Sequence, residues 1–154
     1  MNLNTLYVMV GISGAGKSTF IENFLKSHPN VVVHSSDKLR GILGKDENDQ
    51  SVTAQVFSTI KYNLNRDLAA GKDVMIDATS LNPRERRDYV LAAKKYSAKT
   101  VAYVLERDKN TLMKNQAKRK ASGGREVPEF VIDKMVAKYI RPSTSEGFDE
   151  VILV

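Results

Sequence analysis

Along this chain, short and nearly continuous apolar runs alternate with longer stretches in which apolar residues return every three to four positions. The short runs are Thr5 to Val10, Asn30 to His34, Asp73 to Asp77, Thr100 to Leu105 and Glu150 to Val154, rich in Val and Ile. Such continuity belongs to strands covered on both faces, which are parallel strands. Between them, Val52, Val56, Ile60, Leu64 and Leu68 trace one helical stripe that Gly71 closes. The next helix carries its own start signal: Asn82 as cap, Pro83 at the first helical position and Glu85 three residues past the cap, a capping-box pattern. A last helix is predicted to begin at Pro128, to carry Phe130, Val131, Met135, Val136 and Tyr139, and to stop before Pro142. No repeat, Pro-rich linker or low-complexity stretch divides the sequence. The pattern reads as an α/β fold, a doubly wound sheet of five parallel strands with helices on both faces, in one domain over residues 1–154.

Composition then removes several chemistries. There is no cysteine, which excludes disulfide frameworks, thiol nucleophiles and cysteine-ligated metals together. His28 and His34 are too few for a histidine-rich metal cluster. Apolar residues at 42% and charged residues at 27% are those of a globular domain. No apolar run approaches the ~20 residues of a membrane span, and Met1 to Val10 is too short and uncharged for a signal peptide, so a cytoplasmic protein without membrane contact is expected. Lys plus Arg outnumber Asp plus Glu by 24 to 18, a net charge of +6 that favours a polyanionic partner.

The strongest chemical signal follows the first strand directly. Gly11-Ile12-Ser13-Gly14-Ala15-Gly16-Lys17-Ser18-Thr19 matches the P-loop pattern G-x-x-x-x-G-K-[ST] in full, at the strand-to-helix junction where its mechanism requires it. Glycines permit backbone conformations in which successive N–H groups point inward at phosphate oxygens, and the helix starting near Gly16 adds its positive dipole end. Gly11, Ser13, Gly14, Ala15, Gly16, Lys17, Ser18 and Thr19 are therefore assigned to ATP. Lys17, read as an exposed loop lysine, would bridge the β- and γ-phosphates, and Ser18 would place its hydroxyl on Mg²⁺.

Charged residues around this loop allow more than one role. Asp77 ends the run Val74-Met75-Ile76, the place of a Walker B carboxylate, although a strand-end aspartate also caps loops. Asp37 and Arg40 lie three apart, on one face if a helix begins there. The carboxylate could take a proton from an attacking hydroxyl while the arginine anchors an acceptor phosphate. Equally, Ser36 or Asp37 could cap the helix and the pair be a surface ion pair. Lys109, Lys114, Lys118, Arg119, Lys120 and Arg125 form a basic run with no acidic residue inside it, ending in Ser122-Gly123-Gly124. It reads as a flexible lid over the triphosphate, at about residues 114–126, or else as a solvated face. Asp46-Glu47-Asn48-Asp49 lacks the glycine and glutamate of a calcium loop and reads as solvated, and His28 before Pro29 reads as structural.

Taken together, these residues resemble the P-loop kinases of the polynucleotide 5′-hydroxyl kinase family found in phage and bacterial nucleic-acid end repair. The resemblance covers nearly the whole chain. It rests on Gly11 to Thr19, Asp37 to Arg40, Asp77-Ala78-Thr79-Ser80-Leu81-Asn82-Pro83-Arg84-Glu85-Arg86-Arg87, the lid with Val127-Pro128, and Pro142 with Glu146-Gly147-Phe148-Asp149. It implies a P-loop kinase fold with a helical lid, ATP and Mg²⁺ as cofactors, and a 5′-hydroxyl nucleic acid as substrate. It also implies Lys17 and Ser18 on nucleotide and metal, Asp37 as general base, Arg40 on the acceptor's 3′-side phosphate and Asp77 near the acceptor hydroxyl. The lid departs from the family, since Lys114-Asn115 stands where Arg-Asn is usual, leaving Arg119 and Arg125 both as candidates for the phosphates. The chain carries no phosphatase or ligase module, so a repair role implies separate partners. Two other functions fit the same motifs: a small-metabolite or nucleoside kinase, and a nucleotide-binding regulatory module.

Overall fold

The computed structural model describes residues 3–154. Five strands, β1 (Thr5–Val10), β2 (Val32–Ser35), β3 (Val74–Asp77), β4 (Lys99–Val104) and β5 (Glu150–Leu153), form one parallel sheet in the order β2-β3-β1-β4-β5. The helices are α1 (Lys17–Ser27), α2 (Ser36–Leu43), α3 (Thr53–Ala69), α4 (Pro83–Lys95), α5 (Lys109–Ala121) and α6 (Glu129–Lys138). Strand residues alternate between two cores. Leu6, Val8 and Val10 pack with Ile60 and Leu64 of α3 and Tyr89 of α4 on one side. Met9 and Met75 pack with Phe24 of α1, Leu112 of α5 and Ile132 of α6 on the other. Each such fully buried side chain contributes roughly 1.5–3 kcal/mol. The doubly wound five-stranded sheet read from the apolar runs is the fold observed. Among the described residues no helix is long and apolar enough to cross a membrane.

Boundaries moved where local hydrogen bonds outrank apolarity. Strand β2 begins at Val32 rather than Asn30 because the Val31 N–H turns back to the His28 carbonyl at 3.3 Å. Neither Ser36 nor Asp37 caps α2. The cap is Ser35, whose side chain accepts from the Lys38 N–H at 3.4 Å. Asn82 caps α4 as expected, accepting from the Glu85 N–H at 3.1 Å, but Glu85 reaches one residue further back than a capping box requires, to the Leu81 N–H at 3.2 Å. Helix α6 spans Glu129–Lys138, between Pro128 and Tyr139 as its caps. Asp49 accepts from the Ser51 and Lys45 N–H groups at 3.0 and 2.9 Å, so the acidic stretch is turn chemistry. His28 ends α1 with its ring stacked on Phe24, centroids 4.0 Å apart.

Two segments that carry the family resemblance meet in space. Arg86, fully buried on α4, donates to both Glu146 carboxylate oxygens at 2.9 Å, to the Ser80 carbonyl at 2.8 Å and to the Ile140 carbonyl at 2.9 Å. It thereby ties the approach to β5 onto the loop between β3 and α4, where Ser80 holds a left-handed backbone at φ 48°. The neighbouring Thr79 carbonyl accepts the Gly11 N–H at 3.0 Å. The buried guanidinium thus braces the loop on which the start of the phosphate-binding loop rests.

Candidate active site

The chain leaves central β1 in both directions across the sheet, so the carboxyl ends of β1, β3 and β2 lie side by side, where α/β sheets bind ligands. The P-loop follows β1. Gly14 and Gly16 hold φ values of +93° and +97°, accessible to glycine at little cost. Gly16 is the N-cap of α1 without a side-chain cap, and the first turn of α1 contains no acidic residue, so among the described residues no side chain caps the first-turn amides. That is the donor set a phosphate takes. Ser18 and Thr19 are exposed at the same turn, and the Ser18 hydroxyl is an oxygen ligand suited to a hard cation.

Lys17 is not the exposed lysine its loop position suggested. It is half-buried, and its ammonium donates to the Gly11 and Ile12 carbonyls at 2.6 and 3.3 Å. Burial pushes its pKa down to about 8; Asp77 and Asp37 oppose the shift and the charges of Arg119 and Arg125 add to it. Burial likewise raises Asp77, against the pull of Lys17 and a hydrogen bond from Ser35, with Asp37 adding to the rise.

Lys17, Ser18, Asp37, Asp77, Arg119 and Arg125 all line one cavity of about 440 Å³. Seven of the eight residues assigned to ATP from the sequence lie in or beside it: Ser13, Gly14, Gly16, Lys17, Ser18 and Thr19 line it, and Gly11 anchors the loop. Ala15 instead packs into the core beneath. Asp37 stands at the start of α2, and a single one of its oxygens, Oδ1, accepts both Arg40 Nη1 at 2.9 Å and Arg125 Nη1 at 2.7 Å. Arg40 is placed differently from the expectation of an open phosphate clamp. It is 6% exposed, does not line the cavity, and reaches it only through Asp37, while its Nε has no partner among the described residues.

The basic run is a helix, α5, laid over the P-loop. Gln116 Nε2 and Arg119 Nη1 both donate to the Ser13 hydroxyl, at 3.0 and 3.1 Å, and Asn115 Nδ2 donates to the Gly14 carbonyl at 2.6 Å. The Gln116 amide oxygen accepts the Val127 N–H at 2.9 Å, pinning the far end of the loop that carries Arg125. The run is also less unopposed than its own sequence suggested. Lys109 pairs with Glu129 and Asp133 at 2.9 Å each, and Lys120 pairs with Glu126 at 3.2 Å, through partners lying beyond the run. Asn115 and Gln116 are the site residues that sequence reasoning missed. Gln116 falls four residues after the buried Leu112, so a polar residue on the core-facing stripe of α5 was the available signal.

With this geometry in place, comparison with known proteins gives the family. Residues 6–142 match the family model described as AAA domain. The chain belongs to that AAA domain family. Within it the fold is that of a P-loop kinase. The L-seryl-tRNA(Sec) kinase of Methanococcus maripaludis is 26% identical over 148 residues, covering 94% of this chain and 56% of that protein. A chain in the structure of the Pnkp1/Rnl/Hen1 RNA repair complex superposes with a TM-score of 0.77 at 26% identity, covering 90% of this AAA domain protein and 44% of that chain. A putative kinase from Chloroflexus aurantiacus, at 13% identity and a TM-score of 0.79, covers 100% of this chain and 86% of its own and shares the fold. The chain thus spans about half the length of the first two relatives, 56% and 44%.

Proposed function

We propose that this AAA domain is an ATP- and Mg²⁺-dependent kinase that transfers the γ-phosphoryl group to the 5′-hydroxyl of an oligo- or polynucleotide. The observation that carries this reading is the environment of Asp37. It lines the same cavity as Lys17 and Ser18, and both of its guanidinium partners sit on Oδ1, which leaves Oδ2 without a partner among the described residues. A base held by one oxygen keeps the other for a proton. In the proposed reaction Oδ2 accepts the proton of the acceptor hydroxyl and the hydroxyl oxygen bonds to the γ-phosphorus. The bond from that phosphorus to the β–γ bridging oxygen breaks, and its electron pair leaves with ADP. The P-loop amides and Lys17 hold the phosphates, and Arg119 and Arg125 stabilise charge on the transferring group. Mg²⁺, bound through the Ser18 hydroxyl and the phosphates, would neutralise charge on the triphosphate. Asp77 orients the acceptor hydroxyl from the end of β3, and Arg40, buried behind Asp37, holds that carboxylate in place rather than clamping the acceptor's 3′-side phosphate. Similarity to a chain of an RNA repair complex supports a nucleic-acid acceptor, with other repair steps supplied by separate partners.

A second reading is favoured by one finding, the similarity to a kinase named for L-seryl-tRNA(Sec), in which the acceptor hydroxyl would be an aminoacyl group carried on RNA. One assay separates the readings: γ-phosphate transfer from labelled ATP to 5′-hydroxyl oligonucleotides, seryl-tRNA, nucleosides with and without a 3′-phosphate, and sugar acids. The oligonucleotides and the 3′-phosphorylated nucleoside are expected to be labelled. Equal labelling of the plain nucleoside and its 3′-phosphate would replace the polynucleotide reading by a small-metabolite kinase, and labelling of seryl-tRNA alone would move the acceptor to the amino acid.

A further inference from the structure

Asp37 has two guanidinium partners of different mechanical character. Arg40 lies one helical turn away on α2, is buried, and has no other carboxylate within salt-bridge distance among the described residues. Arg125 comes from the non-helical connection between α5 and α6, lines the cavity itself, and follows Gly123 at φ +79° and Gly124. That connection is short and held at both ends, by the Gly124 N–H on the Arg119 carbonyl at 2.7 Å and by the Val127 N–H on Gln116 at 2.9 Å. Arg125 can therefore leave Asp37 by a swing of its side chain without the lid coming off the P-loop. The cavity gives it somewhere to go. Four cationic side chains, Lys17, Lys118, Arg119 and Arg125, line it against two carboxylates, Asp37 and Asp77, a surplus of positive charge that a triphosphate complements. A guanidinium prefers the multiple oxygens and charge of a triphosphate to a carboxylate oxygen it must share.

We propose that Arg125 is an exchangeable counter-ion of Asp37. In the nucleotide-free protein it shares Oδ1 of the carboxylate with Arg40; when Mg·ATP binds it transfers to the phosphates, leaving Arg40 as the permanent partner. Occupation of the nucleotide site thereby frees Oδ1 of one of its two guanidinium groups, and the acceptor meets an Asp37 paired with Arg40 alone only after ATP is in place. This role presupposes Asp37 as the proton acceptor, but its test requires only nucleotide binding, so a negative oligonucleotide assay and a failure here are separate outcomes.

The test is a pair of double-mutant cycles on the full chain, unfolded in urea without ligand and with saturating Mg·AMP-PNP: Asp37→Asn with Arg125→Gln, and Asp37→Asn with Arg40→Gln. Without nucleotide both pairs should couple, by about twofold or more in the unfolding constant. With Mg·AMP-PNP the Asp37–Arg125 coupling should fall to none while the Asp37–Arg40 coupling persists. Coupling of Asp37 to Arg125 that survives nucleotide, or that is absent in its absence, would overturn the exchange. Should a variant not fold, the guanidinium ¹⁵N resonance of Arg125 in the unmodified chain decides the matter: it should move on adding Mg·AMP-PNP, and an unmoved resonance would overturn the proposal equally.

Discussion

Two arginine–carboxylate clusters in this domain are built on opposite principles. Around Arg86 the donors and acceptors balance: four hydrogen bonds reach two carboxylate oxygens and two carbonyls, and the side chain is sealed from water. Around Asp37 they do not, since two guanidinium groups crowd one oxygen and the buried Nε of Arg40 finds no partner among the described residues. A balanced buried network makes one conformation uniquely favourable, whereas an unbalanced one retains capacity for a ligand. The first cluster belongs to the architecture, and the second is the one proposed here for the chemistry.

Substitutions can sharpen that contrast. The largest effect expected is on turnover from Asp37→Asn, which preserves shape but cannot take up a proton. The rate of phosphoryl transfer in a single-turnover assay should fall by roughly 10² to 10⁴, with ATP affinity nearly intact. Arg86→Ala should show the reverse pattern. Leaving Glu146 partly buried without its partner should cost about 3–5 kcal/mol in a urea titration, and activity should be lost only in proportion to unfolded protein. An Arg86→Ala protein of wild-type stability but no activity would erase the distinction between the clusters.

A smaller effect concerns pH. Lys17 sits near a pKa of about 8 when the site is empty, below its ordinary value of 10.5, and a triphosphate would favour the charged form. Binding should therefore take up a proton, and Mg·ATP affinity should weaken above about pH 8, by up to tenfold per unit, measured by calorimetry in buffers of different ionisation enthalpy. The same shift means that the empty folded chain sheds this proton at lower pH than the unfolded chain. Its contribution to stability therefore rises between about 8 and 10.5, visible as a difference from Lys17→Met across that window. The smallest effect is expected from Lys109→Ala. Its partners Glu129 and Asp133 are both solvent-exposed, so melting temperature and turnover should be indistinguishable from those of the unsubstituted protein.

Patterns of short range were legible in the sequence and partners of long range were not. The strands showed as apolar runs because burial on both faces imposes the same chemistry on successive residues, and the P-loop showed because its spacing encodes backbone geometry within nine residues, Gly11 to Thr19. Errors at the ends of β2 and α2 came from single hydrogen bonds, those of Val31 and Ser35, which periodicity does not weigh. Arg125 and Asp37 are 88 residues apart, Gln116 and Ser13 are 103 apart, and Arg86 and Glu146 are 60 apart, so no local pattern pairs them. For the same reason the basic run read as unopposed, because its anions lie on α6 and in the connection before it.

Gly14 joins these themes in a way its place in a phosphate-binding motif conceals. Beyond its left-handed backbone, a Cβ there would come within 2.9 Å of both the Gln116 side-chain amide and the Leu112 carbonyl. The missing side chain is thus a seat for α5 as much as an opening for phosphate. An alanine at 14 would act as a wedge, prising the lid helix from the loop while leaving Lys17 and every other charged group of the cavity in the sequence. Gly14, at a position the motif leaves open, therefore serves two partners at once, the proposed phosphate and a helix about a hundred residues downstream.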